Sequence, residues 1–554
     1  MNYLKTKPYL HQEAAMDFSQ NRDYFALFME QGTGKSKTVI DIASRAYLAG
    51  EIDCVLLIAP NGVHAQWIKE QLPIHCGIPY EGFTWRSTSG KGYKTLFNKF
   101  IESKEMKIKW LAVNVEAFSY PSYMEVFSNY VKNNKCFVII DECTSIKNPD
   151  AKRTTNIIRG LAECRYKGRT LAVCNPCAVK RAVLTGTPVT NSPYDLWAMG
   201  EFLKPDLFER SYYSFKAHYG LFKKVIIQQG GMRRELTLPL KSEDIDAIRK
   251  LDYSEAQRQF KVNMKDYDYI ISHPDHDLAY KNLDELKHRL SQFAFFCRKE
   301  DCLDLPPKVY KQRVIELSAE QQAVYQMMEN QLIAEYDGKV LTALNKMTMY
   351  TRLSQITGGF FPYQEESEED DGLISVSSHI EAFKKNPKAD ALMEDLAAID
   401  YPVLVTTRFV AEANYLYERI QKEFPLLRVG IYTGQKKTPA DPVGLFKKGE
   451  IDVLIANVRM ISKGHNLQNS TNIIVYSNDY SLENREQLED RIHRNGQKGT
   501  CLYIDYIMEG TIDMKVYSAL KHKKQLLHYI RDTNIKDFLT EVDDDMKEEY
   551  NWLN

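Results

Sequence analysis

Short, unbroken apolar runs separated by helical stretches occur in two blocks of this chain, and that pattern narrows its fold more than any other feature. In the first block, from about residue 20 to 205, the clearest runs are Asp53-Cys-Val-Leu-Leu-Ile-Ala, Trp110-Leu-Ala-Val, Phe137-Val-Ile-Ile and Ala182-Val-Leu-Thr. In the second, from about residue 381, they are Val403-Leu-Val, Val429-Gly-Ile-Tyr, Val453-Leu-Ile-Ala, Ile473-Ile-Val-Tyr and Leu502-Tyr-Ile-Asp. A strand without a polar face must be covered on both sides. Helices between such strands supply the cover, so each block reads as a parallel α/β sheet. The length of 554 residues also exceeds what one core accommodates.

Between the blocks the chain is polar and interrupted. Leu283-Asp-Glu-Leu-Lys-His-Arg-Leu and Ser318-Ala-Glu-Gln-Gln-Ala-Val-Tyr have helical spacing, and Leu305-Pro-Pro-Lys between them suits a linker. The acidic tract Glu365-Glu-Ser-Glu-Glu-Asp-Asp-Gly reads as a solvated loop. The expected boundaries are 1–205 for lobe 1, 206–300 for its helical insertion, and 301–380 for a linker with a helical insertion of lobe 2. Lobe 2 follows at 381–510, and a helical brace with an acidic tail at 511–554.

The chemistry-bearing residues sit where strands end. Gly32-Thr33-Gly34-Lys35-Ser36 follows the run Phe25-Ala-Leu-Phe-Met and precedes the helical Thr38-Val-Ile-Asp-Ile-Ala. Strand, glycine turn and helix is the context in which backbone N–H groups and a helix N-terminus cradle phosphates. Lys35 is placed for the β/γ-phosphates and the Ser36 hydroxyl for Mg²⁺. The full phosphate-loop pattern has glycine at position 29, where this chain has Met29. An ordinary helix N-terminus reached by a glycine turn is the structural alternative. Phe137-Val-Ile-Ile-Asp141-Glu142 weighs against it, because a buried strand there delivers two carboxylates to its C-terminal end. Asp141 suits Mg²⁺ and Glu142 the attacking water.

In the second block, Gln487-Leu-Glu-Asp490-Arg491-Ile-His493-Arg494-Asn-Gly496-Gln497 places two arginines three apart on one helical face. Arginines so placed neutralise charge that develops on a transferring γ-phosphate.

These segments together resemble the Swi/Snf-type branch of helicase superfamily two, over residues from about 8 to 530. Asp141-Glu-Cys-Thr with Lys147-Asn148-Pro resembles its second motif. Leu184-Thr-Gly-Thr187-Pro-Val-Thr-Asn191, followed by Asp195-Leu-Trp197, is similar to its third. Ala59-Pro60 with Trp67 and Glu70 resembles motif Ia, and Tyr9-Leu-His-Gln12 the upstream glutamine element that reads adenine. Gly464-His-Asn466-Leu467 resembles the end of motif V, Asp479-Tyr-Ser-Leu a conserved-type aspartate element, and Gly510-Thr-Ile-Asp with Lys515-Val the brace. The stretch from Leu283 to Lys308 resembles the linker between lobes.

The resemblance implies two RecA-like lobes that hydrolyse ATP with Mg²⁺ and translocate on duplex DNA. It places ATP contacts at Gln12, Gly32 through Ser36, Gly464 and Gln497. It places DNA contacts or coupling residues at Asn61, Lys147, Asn148, Thr187, Asn191, Arg408, Gly434 and Lys463. Three departures stand out. Ile461-Ser462 replaces a glycine pair in motif V, residues 221–280 are inserted, and a further insertion spans Cys164 to Cys177. Cys174-Asn-Pro-Cys177 raises the question of zinc, but no second cysteine pair lies close, so a cysteine-containing hairpin is the expectation.

Net charge decides one more point. At −1 the chain is no passive nucleic-acid coat, which needs a broad positive surface, although a local basic track remains compatible. No run of about 18 apolar residues suggests a membrane span. The absence of a signal-like N-terminus and ten scattered cysteines point to a reducing, intracellular and cytoplasmic setting, in a bacterium or a virus-infected host. The expected partners are duplex DNA and DNA-bound proteins, with the chain a monomer. The rival readings are a strand-separating DNA or RNA helicase and a nucleotide-gated binding platform.

Overall fold

The computed structural model describes residues 3–87, 90–162, 165–166, 169–170, 178–229, 232–273, 280–336, 343–368, 374–462 and 465–531. The chain divides into two compact units, one taking in Met1–Gln228 and Met232–Leu303, the other Asp304–Lys524. Each is built on its own seven-stranded sheet.

In the first unit the strands are β1 Tyr24–Met29, β2 Cys54–Ala59, β3 Tyr80–Thr84, β4 Ile108–Asn114, β5 Cys136–Asp141 and β6 Lys180–Thr185. After a hairpin of β7 Phe222–Gln229 and β8 Met232–Pro239 comes β9 Ala294–Cys297. The sheet order is β9-β1-β6-β5-β2-β4-β3, and each pairing is parallel. Alternate residues of the strands (Phe25, Leu27 and Met29; Val55 and Leu57; Phe137 and Ile139) enter one apolar cluster with helix α1 Leu10–Phe18 and helix α2 Lys35–Leu48. The intervening residues Ala26, Leu56, Ile58, Val138 and Ile140 are buried as well. Burial on both faces is why these strands read as continuous apolar runs.

The second unit repeats the plan with β10 Lys308–Ile315, a hairpin of β11 Phe360–Glu368 and β12 Ile374–Ala382, and then β13 Val403–Thr407. These are followed by β14 Val429–Tyr432, β15 Lys437–Thr438, β16 Val453–Asn457, β17 Asn472–Val475 and β18 Cys501–Met508. The order is β10-β18-β17-β13-β16-β14-β15, with only the last pairing antiparallel. Val403 and Val405 pack on one face with Leu392 and Leu416. Leu404 packs on the other with Leu488 and Ile492 of helix α3 Leu482–Ile492. Helix α4 Ile512–Arg531 follows the sheet.

Several expectations change. The 206–300 stretch is not wholly helical, since it carries the β7–β8 hairpin and the sheet strand β9. Within it Leu221, Leu240, Ile245, Ile248, Ala256, Val262 and Ile270 form a small core of their own. Leu305-Pro-Pro carries no regular element and follows the division between the units at Leu303 and Asp304, and β10 begins directly after it at Lys308, pairing with β18 over eight residues. The start of the acidic tract is not loop: Glu365 to Glu368 pair across β12, while residues 369–373 lie outside the described residues. Among the described residues no helix is long and apolar enough to cross a membrane.

Candidate functional site

The phosphate loop is assembled from three neighbouring pieces of the first unit. β1 ends at Met29, the loop turns through Gly32 at φ +87° and Gly34 at φ +91°, and α2 begins at Lys35. Gly34 is required twice over. Its backbone is left-handed, and a Cβ there would lie 2.1 Å from the Gln12 amide nitrogen. That amide donates to the Thr33 carbonyl at 3.0 Å, while the Tyr9 N–H donates to the Gln12 side-chain oxygen at 3.1 Å. His11, which the sequence did not mark, also reaches the Thr33 carbonyl, at 2.7 Å. Lys35 is buried, and its ammonium donates to the Met29 carbonyl at 2.8 Å and the Glu30 carbonyl at 3.4 Å. These bonds to neutral oxygens are ones an anionic ligand can outcompete. Ser36 is half-buried in the first turn of the helix.

β5 brings Asp141 to the end of the sheet. Its Oδ2 accepts from the Trp67 indole N–H at 2.8 Å, and its Oδ1 from the Glu142 N–H at 3.1 Å. Burial raises the Asp141 pKa, opposed by the Trp67 bond and by the positive charge of Lys35. A buried carboxylate, costly to keep charged, gains from a divalent cation. Glu142 has φ +49° and ψ 60°, a left-handed conformation that non-glycine residues seldom adopt. Its Oε1 lies 3.5 Å from the Gln31 amide nitrogen. The residue next to the strand end is thus held by strained backbone, as expected of a reactive position. Trp67 had only a motif resemblance to mark it; its partner lies 74 residues away, so no local signal joins the two.

The coupling residues of this unit form one connected group in part. Lys147 Nζ lies 2.5 Å from Thr190 Oγ1, Thr190 donates to Asp195 at 2.8 Å, and the Asn191 N–H donates to the same carboxylate at 2.9 Å. Thr187 is buried, its N–H bonded to Thr185 Oγ1 at 3.1 Å. Asn148 and Asn191 are exposed, and so is Asn61, beyond the end of β2.

In the second unit α3 carries Arg491 but ends at Ile492, so Arg494 lies past the helix and not on its continuing face. The cause is Gln497. Its amide donates to the carbonyls of Ile492, Ser470 and Gln468 at 3.1, 2.9 and 3.1 Å, and its oxygen accepts from the N–H groups of Lys498 and Gly499. This closes the helix end, where carbonyls lack partners. Both polar atoms of the Gln497 side chain are thus bonded within its own lobe.

Arg491 is buried, donating to the carbonyls of Gln487 and His465, each at 2.9 Å. Burial pushes the His465 imidazole down to about 4, with Lys447 and Arg491 adding to the effect, so a neutral ring borders the arginine. Burial likewise lowers the Arg494 pKa, with Asp490 opposing. Such a partly desolvated cation gains from an arriving anion. Arg408 is committed within the lobe, its guanidinium bonded to Ser354 at 3.0 Å and placed over the Phe409 and Tyr480 rings. Gly434 is exposed. Lys463, Gly464, Cys164, Cys174 and Cys177 lie outside the described residues.

A lysine at a glycine turn, an aspartate–glutamate pair at the next-but-one strand end, and arginines on a second α/β sheet define a helicase-type nucleoside-triphosphate hydrolase. The SNF2-related domain matches residues 11–357 and the helicase conserved C-terminal domain residues 385–496. The chain belongs to the SNF2-related family, and with it to the ATP-hydrolysing motors of helicase superfamily two. It is similar to the chromatin structure-remodeling complex protein SYD of Arabidopsis thaliana, 22% identical over 89% of this chain and 12% of that protein. It is also similar to the DNA excision repair protein ERCC-6-like of Mus musculus, 23% identical over 90% of this chain and 39% of that one. The chain thus spans well under half the length of either relative. The Sulfolobus solfataricus SWI2/SNF2 ATPase core in complex with dsDNA aligns with 95% of this chain and 93% of its own, at 19% identity and a TM-score of 0.38.

Proposed function

We propose that this chain is a translocase that uses ATP to move along duplex DNA, or to remodel protein–DNA complexes, without routine strand separation. The observation that carries the reading is the placing of Lys35, Asp141 and Glu142 at the ends of two strands next but one to each other, set in a chain whose motifs resemble those of the Swi/Snf-type branch.

The roles follow from the chemistry. Lys35 exchanges its carbonyl partners for β/γ-phosphate oxygens. Ser36 and Asp141 would hold Mg²⁺, which supplies positive charge at those oxygens. Glu142 takes the proton of the attacking water, and the strained backbone fixes where its carboxylate points. Gln12, already bonded across the phosphate loop, reads the adenine edge. Arg491 and Arg494 supply positive charge of the kind that an arginine finger offers a transferring phosphate. Lys147, Thr190 and Asp195 link the nucleotide side of lobe 1 to Asn191 on its surface, a route by which hydrolysis alters the grip on a phosphate backbone. Duplex DNA is the partner, DNA-bound proteins are the cargo, and a single chain is the working unit.

ATP hydrolysis measured with duplex DNA, single-stranded DNA and RNA side by side tests this. Strong stimulation by duplex DNA is expected, with binding that weakens steeply as salt rises, because phosphate contacts dominate. Preferential stimulation by single strands or RNA would make the chain a strand-separating helicase. Turnover indifferent to any nucleic acid would make it a nucleotide-gated platform.

A further inference from the structure

Beside the phosphate loop three metal-ligating side chains converge that the nucleotide chemistry does not use. His11, Cys297 and Cys302 each place a ligand atom within 4.8 Å of the other two. Cys297 closes β9, in register with Met29, and its carbonyl accepts from the N–H of Glu30 at 2.9 Å. Cys302 ends the helical turn Lys299–Cys302, and its Sγ lies 3.4 Å from that of Cys297. Cys297 is buried, whereas His11 and Cys302 are half-buried, which leaves the cluster reachable.

We propose that His11, Cys297 and Cys302 form a binding site for a thiophilic divalent cation of the zinc class, held by one imidazole and two thiolates with a fourth position for water.

The sulfur separation discriminates between the two things a cysteine pair can do. Tetrahedral zinc with Zn–S bonds near 2.3 Å sets two thiolates about 3.8 Å apart. A disulfide brings them to about 2.05 Å. From 3.4 Å the metal geometry requires the far smaller movement. The histidine points the same way. A carbonyl oxygen only accepts, so the His11 Nε2 that meets Thr33 carries the proton, leaving the lone pair of the neutral ring on Nδ1. Metal-bound histidines characteristically donate their other N–H to such a carbonyl. Binding displaces two thiol protons to solvent as two metal–sulfur bonds and one metal–nitrogen bond form.

An ion here ties the start of α1 to the end of β9. Because His11 and Gln12 share the Thr33 carbonyl, it also fixes one side of the phosphate loop. That last consequence rests on the nucleotide reading; the ion site does not. Coupling of this kind is reciprocal between the two ligands.

The test uses the full chain, reduced and stripped of metal with a chelator, then titrated with Zn²⁺ and with Cd²⁺ in the absence of nucleotide. One equivalent of Cd²⁺ is expected to produce a thiolate-to-metal charge-transfer absorbance that Cys297→Ser/Cys302→Ser lacks. Zn²⁺ should raise the melting temperature of the wild type and not of that variant. His11→Gln, on a half-buried side chain, keeps the fold and should weaken binding at least tenfold. Two results overturn the site: charge-transfer absorbance unchanged in the double variant, or a reduced chain that takes up no ion and instead, on addition of oxidised glutathione, passes two electrons and two protons to it as a Cys297–Cys302 disulfide forms. An affinity for a non-hydrolysable ATP analogue that is indifferent to Zn²⁺ overturns the linkage to the phosphate loop.

Discussion

The two lobes have sheets of the same size and nearly the same plan, yet the functional charges of lobe 1 and the helix that carries Arg491 in lobe 2 are held in opposite ways. In lobe 1 the charged groups rest on neutral partners: Lys35 on the Met29 carbonyl, Asp141 on the Trp67 indole, Glu142 near the Gln31 amide. In lobe 2 the helix before the arginines is wired by charge. Glu489 is buried, and burial acts to raise its pKa. Lys524, Lys308 and Arg485 nevertheless hold its carboxyl well below the usual range. Lys308 lies 3.2 Å and Lys524 3.5 Å from it, the Tyr310 hydroxyl donates to it at 2.6 Å, and Arg485 bridges on to Asp505. The difference is one of purpose. Neutral bonds in lobe 1 are ones that a phosphate and a cation can replace, whereas matched charges make a scaffold that needs no ligand to stay in place.

That contrast breaks first at the arginines. If lobe 2 only presents them, Arg491→Ala and Arg494→Ala should each cut DNA-stimulated ATP turnover by roughly a thousandfold or more, the scale of arginine-finger effects. DNA affinity should change little. Steady-state turnover and filter binding on the same preparations separate the two quantities. Loss of DNA binding with turnover intact would assign the helix to the DNA track, and normal turnover would end the two-lobe reading.

The scaffold itself is the next target. Glu489→Ala leaves buried Arg485 and half-buried Lys308 and Lys524 without their shared counter-charge, and breaking such a network costs about 3–5 kcal/mol. Denaturant unfolding of the full chain should show that loss. Removing a lobe 1 charge of the same kind, as in Lys35→Ala, should barely move the unfolding midpoint while weakening ATP binding. Equal losses at both positions would erase the distinction drawn between the lobes.

What the sequence made legible follows the same division. Fully apolar strands and glycine turns are local signals, so the sheets, the phosphate loop and the Asp141–Glu142 strand end could be read directly. Short sheet-edge strands could not. β9 offers only Ala294-Phe-Phe-Cys297, and β10 carries exposed Val309, Tyr310 and Val314, so neither has the buried-run pattern. The carbonyls that surround the Gln497 amide were not legible either, because family position says nothing of them. Trp67 with Asp141, and His11 with Cys297 and Cys302, join residues far apart in sequence, so they became visible only once the strands were placed.

The smallest expected effect bears on Trp67, where the neutral-partner idea is most exposed. Trp67→Phe keeps an aromatic ring beside Trp110 and removes only the indole donor from Asp141. Hydrogen bonds to charged groups contribute roughly 1.5–3 kcal/mol, so ATPase activity should fall without being abolished. The direction with pH is fixed by the chemistry. The donor stabilises the carboxylate and so lowers a pKa that burial has raised; without it the pKa rises further. Activity that needs ionised Asp141 is lost as pH falls through that pKa, so the acid limb of the pH–rate profile should move to higher pH. The stability cost should follow the carboxylate too, present at neutral pH and vanishing once the carboxyl is protonated in both folded and unfolded chains. Lowered activity at every pH with no movement of the acid limb would mean that Trp67 acts through packing alone, and that another group keeps Asp141 charged.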